Sequence, residues 1–241
     1  MEERSGIRRK PGNYGFLVYT GKNLRKKDSK KESFYDSVYF DLLDAMRRKV
    51  CPICFLIQKS EYRYMDTLFY ELVNDPGVRE KLRKSHGFCT KHAQLAKKVG
   101  KPLGIAIIYE DICSTLVEKM EKGEKIPSPD KECPVCKLVE EVEEYYLQSF
   151  LKNFSCKDFQ NRYKRSFGLC MPHFLAVYSR LSGQEEKDNL KQCQIHTLRE
   201  YLLELEEFIR KHDYRFSYEE FGEEATSWNK VVDKVTGNHR K

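Results

Sequence analysis

Cysteine and histidine recur in this sequence at spacings that are typical of metal ligands. A Cys-Pro-Ile-Cys motif precedes Gly-Phe-Cys-Thr-Lys-His, and a Cys-Pro-Val-Cys motif precedes Gly-Leu-Cys-Met-Pro-His in the same order. Each set offers three thiols and one imidazole, the donor set of a closed tetrahedral zinc site with no position left for water. We therefore predict two structural Zn²⁺ ions. The candidate ligands are Cys51, Cys54, Cys89, His92, Cys133, Cys136, Cys170 and His173.

The two sets belong to an internal duplication. Between the second Cys of each Cys-Pro-x-Cys and the Cys of the next Cys-x-x-His lie 34 residues in the first copy and 33 in the second. Apolar and basic positions repeat along with the ligands: Phe69 corresponds to Phe150, and Leu82 to Tyr163. A fixed period that carries both ligands and core positions indicates a repeated structural unit.

The spacing leaves open whether each Cys-Pro-x-Cys shares a metal with the Cys-x-x-His of its own copy or with that of the other copy. A loop of ~34 residues costs less entropy to close than one of ~120 residues. We therefore expect the local pairing, with one zinc ion per copy.

Other interpretations of the cysteines remain open. A redox Cys-x-x-Cys needs a thioredoxin-like strand–helix context, whereas the segments before both motifs predict a helix and a loop. An iron–sulfur cluster also accepts such donors, and the same residues occur as free thiols and imidazoles. His86 aligns with Phe167 and is predicted to pack or lie at the surface. Cys193-Gln-Ile-His196 has no Cys-Pro-x-Cys partner, and its counterpart region in the first copy keeps only Cys113, so Cys113 and Cys193 are predicted to be core thiols; Cys156 is unmatched and predicted to be structural.

Hydrophobic periodicity predicts an all-α fold of duplicated helical units, each stapled by a Cys3His zinc site. Phe34, Val38, Leu42 and Met46 recur every four residues and predict a helix from Ser33 to about Arg48. Alternating β-branched runs are lacking except for a short candidate pair of strands near Tyr14–Tyr19. The predicted organisation is a basic flexible arm (1–32), a first zinc-binding repeat (33–122), a linker (123–132), a second repeat (133–211) and a C-terminal tail with a short helix (212–241).

Positive charge is concentrated at the start of the chain. Residues 1–31 hold 10 Lys and Arg against 3 Asp and Glu, while the remaining residues hold 34 of each. Cations interleaved with aromatic residues suit phosphates and stacked bases, so this arm is a candidate for binding RNA, DNA or the ribosome. A solvated tail is the alternative. The candidate contacts are Arg8, Arg9, Lys10, Arg25, Lys26 and Lys27.

The composition gives no sign of a membrane or secretory protein. The longest apolar stretch, Leu103–Tyr109, is far shorter than the ~20 residues that span a bilayer, and no secretory signal pattern is present. We expect a cytoplasmic protein. Because none of the common nucleotide-binding or hydrolase motifs occurs, we predict a non-enzymatic binding or adaptor protein with a protein partner that the sequence does not identify. A thiol redox or metal-responsive switch is a further hypothesis.

The duplicated Cys-Pro-x-Cys and Gly-[Phe/Leu]-Cys-x-x-His motifs, followed by a tail that contains Trp228, resemble a bacterial family of uncharacterised proteins known only as a domain of unknown function. The resemblance covers about residues 33–236. It implies the motif set and a bacterial cytoplasmic setting, and it implies no reaction.

Overall fold

The computed structural model describes residues 37–126 and 133–238. These residues form helices joined by short connections and contain no strand, which confirms the all-α prediction for the described ranges. The candidate strands near Tyr14–Tyr19 and the basic arm lie outside them. The helices are α1 (Ser37–Met46), α2 (Pro52–Glu71), α3 (Pro76–Lys84), α4 (Thr90–Val99), α5 (Pro102–Glu121), α6 (Pro134–Phe154), α7 (Lys157–Lys164), α8 (Met171–Arg180), α9 (Gln184–Lys211) and α10 (Ser227–Thr236), with 3-10 turns at Tyr214–Phe216 and Glu223–Thr226.

Proline and glycine set several helix boundaries. Helices α2, α3, α5 and α6 have proline as their first residue, where its fixed φ is helical and its missing N–H would have had no partner. Asp75 caps α3 by accepting a hydrogen bond from the backbone N–H of Val78 at 2.8 Å. Gly100 ends α4 at a φ of 72°, a left-handed conformation that glycine adopts without steric cost.

Helices α2 and α6, which follow the two Cys-Pro-x-Cys motifs, pack against each other and run antiparallel. The N-terminal part of α2 lies in one hydrophobic core with the C-terminal part of α6, and the opposite ends share a second core. The first core also takes residues from α1, α7, α8 and α9, while the second takes residues from α3, α4 and α5. Both cores therefore combine residues of the two copies.

The two halves differ in the helix that covers this central pair. In the first half α5 packs on α2 and α3; in the second, α1 packs on the equivalent helices α6 and α7. The sequence counterpart of α5 is α9, which instead packs on α8 and α10. The close packing of α5 on α2 depends on Gly104, where a Cβ atom would lie 2.4 Å from the carbonyl oxygen of Phe69.

None of the described helices is long and apolar enough to cross a membrane.

Candidate metal centres

The first cluster joins the start of α2 to the start of α8. Its four side chains are buried, and their ligand atoms all lie within 4.8 Å of one another. The Nδ1 atom of His173 lies 3.4 Å from Cys51 Sγ, 3.5 Å from Cys54 Sγ and 3.2 Å from Cys170 Sγ. Cys54 Sγ and Cys170 Sγ are 3.6 Å apart.

The second cluster joins the start of α6 to the start of α4 in the same arrangement. The Nδ1 atom of His92 lies 3.1 Å from Cys89 Sγ, 3.5 Å from Cys133 Sγ and 3.4 Å from Cys136 Sγ. Cys89 Sγ and Cys136 Sγ are 3.6 Å apart. Cys89 and Cys136 are only half-buried, so this cluster is the more accessible of the two.

These distances fit the edges of a metal-centred tetrahedron. With Zn–S bonds of about 2.3 Å and Zn–N bonds of about 2.0 Å, the expected separations are roughly 3.8 Å between sulfurs and roughly 3.5 Å between sulfur and nitrogen. The observed separations are 3.6 Å and 3.1–3.5 Å. The eight predicted residues thus come together as two groups that can each hold a metal ion.

The prediction that each copy assembles its own site is wrong. Each Cys-Pro-x-Cys meets the Cys-x-x-His of the other copy. The reason is helix length: α2 has 20 residues and α3 only 9, so the chain travels roughly 26 Å beyond Cys54 and α3 can recover at most roughly 13 Å of that before Cys89. Because α6 is antiparallel to α2, its N-terminal end lies where the first Cys-x-x-His arrives.

Four of the cysteines are helix N-caps. Cys51, Cys89, Cys133 and Cys170 directly precede α2, α4, α6 and α8, and none of them makes a side-chain capping hydrogen bond. A helix N-terminus favours negative charge, because its first N–H groups have no intrahelical partners. The sequence Cys-Pro-x-Cys therefore places thiolates where the backbone stabilises them.

Hydrogen bonding in the second cluster favours a thiolate and a charged imidazole. Burial raises the pKa of Cys133, but hydrogen bonds from His92 and from backbone N–H groups outweigh it and bring that pKa to about 6. Burial lowers the pKa of His92, while its bonds to Cys133 and Glu61 raise it to a net value of about 9. A thiolate is the form that binds a metal ion, and binding displaces the remaining protons.

The first cluster shows the same electrostatics. Burial opposes charge on Cys51, yet hydrogen bonds with Cys170, Cys54 and His173 hold the Cys51 pKa well below its usual value. Burial also lowers the pKa of His173, but its bonds to Cys170, Cys51 and Glu143 raise it to about 11. Each cluster thus holds negative sulfur beside a positively polarised ring.

Two functional candidates escaped the sequence reasoning. The Nε2 atom of His92 lies 2.9 Å from Glu61 Oε1, and that of His173 lies 3.1 Å from Glu143 Oε1. Glu61 follows Cys54 by seven residues, and Glu143 follows Cys136 by seven. Aligning the two copies would have shown this repeated carboxylate. Metal-binding histidines commonly donate their second N–H to such a group, which fixes the orientation of the ring.

The other cysteines and His86 lie outside both clusters. Cys113 is exposed on α5, so its prediction as a core thiol is wrong; the preceding residue, Ile112, is the one that points into the core. Cys156 and Cys193 are half-buried and pack against the first core. His86 is half-buried in a turn with a φ of 50°. The candidate nucleic-acid residues Arg8, Arg9, Lys10, Arg25, Lys26 and Lys27 fall outside the described residues.

Comparison with protein-family models gives one family for both halves of the chain. The model described as a family of unknown function (DUF6062) matches residues 31–131 and again residues 122–241. The chain belongs to this family. The double match agrees with the duplicated motifs, and each match holds one Cys-Pro-x-Cys and one Gly-[Phe/Leu]-Cys-x-x-His.

A curated relative of this DUF6062 protein is known from a bacterium. It is an uncharacterized 23.9 kDa protein in the xynA 3' region of Caldicellulosiruptor sp. (strain Rt8B.4). It is 24% identical over 203 residues, which cover 81% of this chain and 99% of the relative. No solved structure matches the chain.

Proposed function

We propose that this protein is a non-enzymatic helical binding module in which two structural Zn²⁺ ions clasp the two repeats together. One observation supports the proposal: each group of three cysteines and one histidine takes two ligands from each copy of the repeat. A metal ion at either position therefore links the halves directly. We expect that loss of one ion would weaken the contact between the repeats and would not be confined to one loop.

The donor set favours zinc in a structural role. Sulfur and imidazole donors in a tetrahedron are typical of Zn²⁺, and a site with four protein ligands leaves no position for a substrate or a water molecule. All four ligands of the first cluster are buried. When Nδ1 of each histidine binds the ion, Nε2 carries the proton and its N–H donates a hydrogen bond to Glu61 or Glu143, which selects the required tautomer.

The ions would contribute directly to the stability of the helical core. The four ligand motifs begin α2, α4, α6 and α8, so two ions fix the starts of four helices. Because the unfolded chain has no preformed site, the free energy of metal binding adds to the free energy of folding. In the proposed role as a binding module, this helical scaffold would present its outer faces to a partner.

Metal analysis of the purified full-length protein tests the proposal. We expect two zinc ions per chain, no iron, and six thiols that become reactive only after the metal is removed. The variant Cys170→Ser should retain one zinc ion and lose several kcal/mol of folding free energy. Cys113→Ser is the matched control, since Cys113 is exposed and outside both clusters, and it should keep both ions. Protein that folds normally without metal, or that contains stoichiometric iron, would contradict the proposal.

The accessibility of the second cluster supports a second candidate, a thiol-based switch. Cys89 and Cys136 are half-buried, and accessible zinc-bound thiolates can be oxidised. In this role, oxidation of these thiolates would release one ion and break the link between the start of α4 and the start of α6. Mild peroxide that leaves two ions bound would exclude it.

A further inference from the structure

A buried lysine lies beside the first cluster. Lys234 of α10 has no exposed surface, and its ammonium group donates a hydrogen bond of 2.7 Å to the carbonyl oxygen of Phe167. The same ammonium lies 4.9 Å from the centre of the Phe167 ring. Phe167 precedes the ligand Cys170 by three residues, so α10 places a positive charge against the loop that leads into the first cluster.

The residues around Lys234 leave space for its ammonium group. Gly168 has a φ of 74°, and a Cβ atom on it would lie 2.9 Å from Lys234 Nζ, so a side chain there would displace the lysine. The Oε1 atom of Gln194 lies 3.8 Å from the same Cβ position, is buried, and has no hydrogen-bond partner within the described part of the chain. A buried amide oxygen without a described partner therefore lies in the same region as the ammonium group.

A buried ammonium is costly unless negative charge compensates it. No carboxylate among the described residues forms an ion pair with Lys234. Burial lowers the pKa of Lys234 to about 8, while the thiolates of Cys51 and Cys170 act in the opposite direction. The sulfurs of the first cluster are thus the negative groups that favour the charged lysine.

We propose that Lys234 is the counter-cation of the first metal cluster, so that binding of zinc there holds α10 in its docked position. This inference rests on the proposed function. A Zn²⁺ ion with three thiolates and one neutral imidazole carries one net negative charge, and Lys234 balances it. Lys234 is a positioning residue: it does not ligate the ion, but stabilises the charged site and anchors the helix.

The cation beside the second cluster is not supplied by α10. The coupling between metal binding and the position of α10 is therefore specific to the first cluster. At the second cluster Lys91, next to the ligand His92, donates to Glu61 at 2.9 Å, and Pro172 occupies the position equivalent to Lys91 in the second copy. The lysine of the first cluster therefore arrives from outside the repeat, on a helix that packs against α8 and α9. Loss of metal from the second cluster should leave α10 in place.

The test uses full-length zinc-loaded protein and Trp228, the only tryptophan of the chain, which lies on α10. Zinc retention against a competing chelator is measured together with Trp228 fluorescence and protease cleavage near the C-terminus. Lys234→Met should weaken zinc retention at one of the two sites by about 10-fold or more, the range observed for groups that support metal ligands. Lys230→Met is the control, since Lys230 lies on the same helix and pairs with Glu204, and it should retain both ions.

Variants of the metal ligands distinguish a specific effect of the first cluster on α10 from a general loosening of the fold. Cys170→Ser should increase C-terminal cleavage about 10-fold or more, whereas Cys136→Ser should not. In the double variant Lys234→Met/Cys170→Ser, α10 should remain docked, because a neutral side chain needs no counter-charge. Stepwise chelation of the unmodified protein gives the same comparison without replacing a ligand.

The outcomes distinguish the two proposals. A chain that binds no zinc overturns both. Two outcomes overturn the role of Lys234 but leave the proposed zinc sites unaffected. In one, two ions bind and are retained equally by wild type and Lys234→Met; in the other, C-terminal cleavage is equal in Cys170→Ser and Cys136→Ser.

Discussion

The carboxylate of Glu61 lies 2.9 Å from Nε2 of His92, although Glu61 belongs to the helix whose first residues form the other cluster. Helix α2 supplies Cys54 to the first cluster and, seven residues later, the carboxylate that orients the histidine of the second. Seven residues of helix rise about 10 Å. Helix α6 does the same in reverse through Glu143 and His173. The clusters are therefore connected through two rigid helices as well as through exchanged ligands.

This relationship predicts selective weakening of metal binding by carboxylate variants. Glu61→Gln removes the charged acceptor of His92, so the second cluster should bind zinc about 10–100-fold more weakly, measured by competition with a chromogenic chelator. Glu143→Gln should weaken the first cluster instead. Glu140→Gln is the matched control, because Glu140 is exposed one turn before Glu143. Equal affinity in Glu61→Gln and Glu140→Gln would remove Glu61 from the site.

The difference in burial between the clusters predicts two phases of metal loss. Cys89 and Cys136 are half-buried, whereas the first cluster is buried throughout. Under mild peroxide or a chelator, we expect one zinc ion to leave quickly and the other slowly, since access to the thiolates limits their reaction. Mass spectrometry of alkylated peptides identifies the thiols exposed in the fast phase. Early labelling of Cys170 before Cys89 would contradict the assignment.

The exchange of ligands predicts that the repeats fold together and not separately. A fragment of residues 35–126 contains Cys51, Cys54, Cys89 and His92, but helix α2 keeps the two pairs apart. Alone, this fragment and its complement, residues 133–241, should be poorly helical and bind zinc weakly. Mixed with zinc, they should form a one-to-one complex with two ions, measured by circular dichroism and native mass spectrometry. A first fragment that folds around a single tight zinc ion would show that local pairing is stable after all.

Repeated spacing predicted the helices and the ligand types, because both are local properties of the sequence. It did not predict which Cys-x-x-His shares a metal with each Cys-Pro-x-Cys. Loop entropy favours the pair that is nearer in sequence, but the lengths of the helices between the motifs decide which pair can meet. The longer loop costs only about 1 kcal/mol more, and the link from His92 to Cys133 spans just 41 residues. The lengths of α2 and α3, both readable from the sequence, would have ruled out the local site. The position of Lys234 depends on how α10 packs, which no repeat encodes.

The close approach of α5 to α2 predicts a large effect of a small substitution at Gly104. In Gly104→Ala the added Cβ would lie 2.4 Å from the carbonyl oxygen of Phe69, a backbone atom that cannot move aside without shifting the helix. Alanine raises helix propensity by about 1 kcal/mol, but overpacking at such a contact costs typically 1–3 kcal/mol or more. We therefore expect a net loss of folding free energy in urea denaturation.

Ser114→Ala separates this packing effect from helix propensity. Ser114 lies on the same helix and is exposed, so its replacement introduces alanine into α5 without a new contact and should change stability by less than about 0.5 kcal/mol. Both variants should retain two zinc ions, because neither position touches a ligand. If Gly104→Ala were as stable as Ser114→Ala, the two helices would have room to separate, and the cover that α5 provides over α2 would not be a close-packed one.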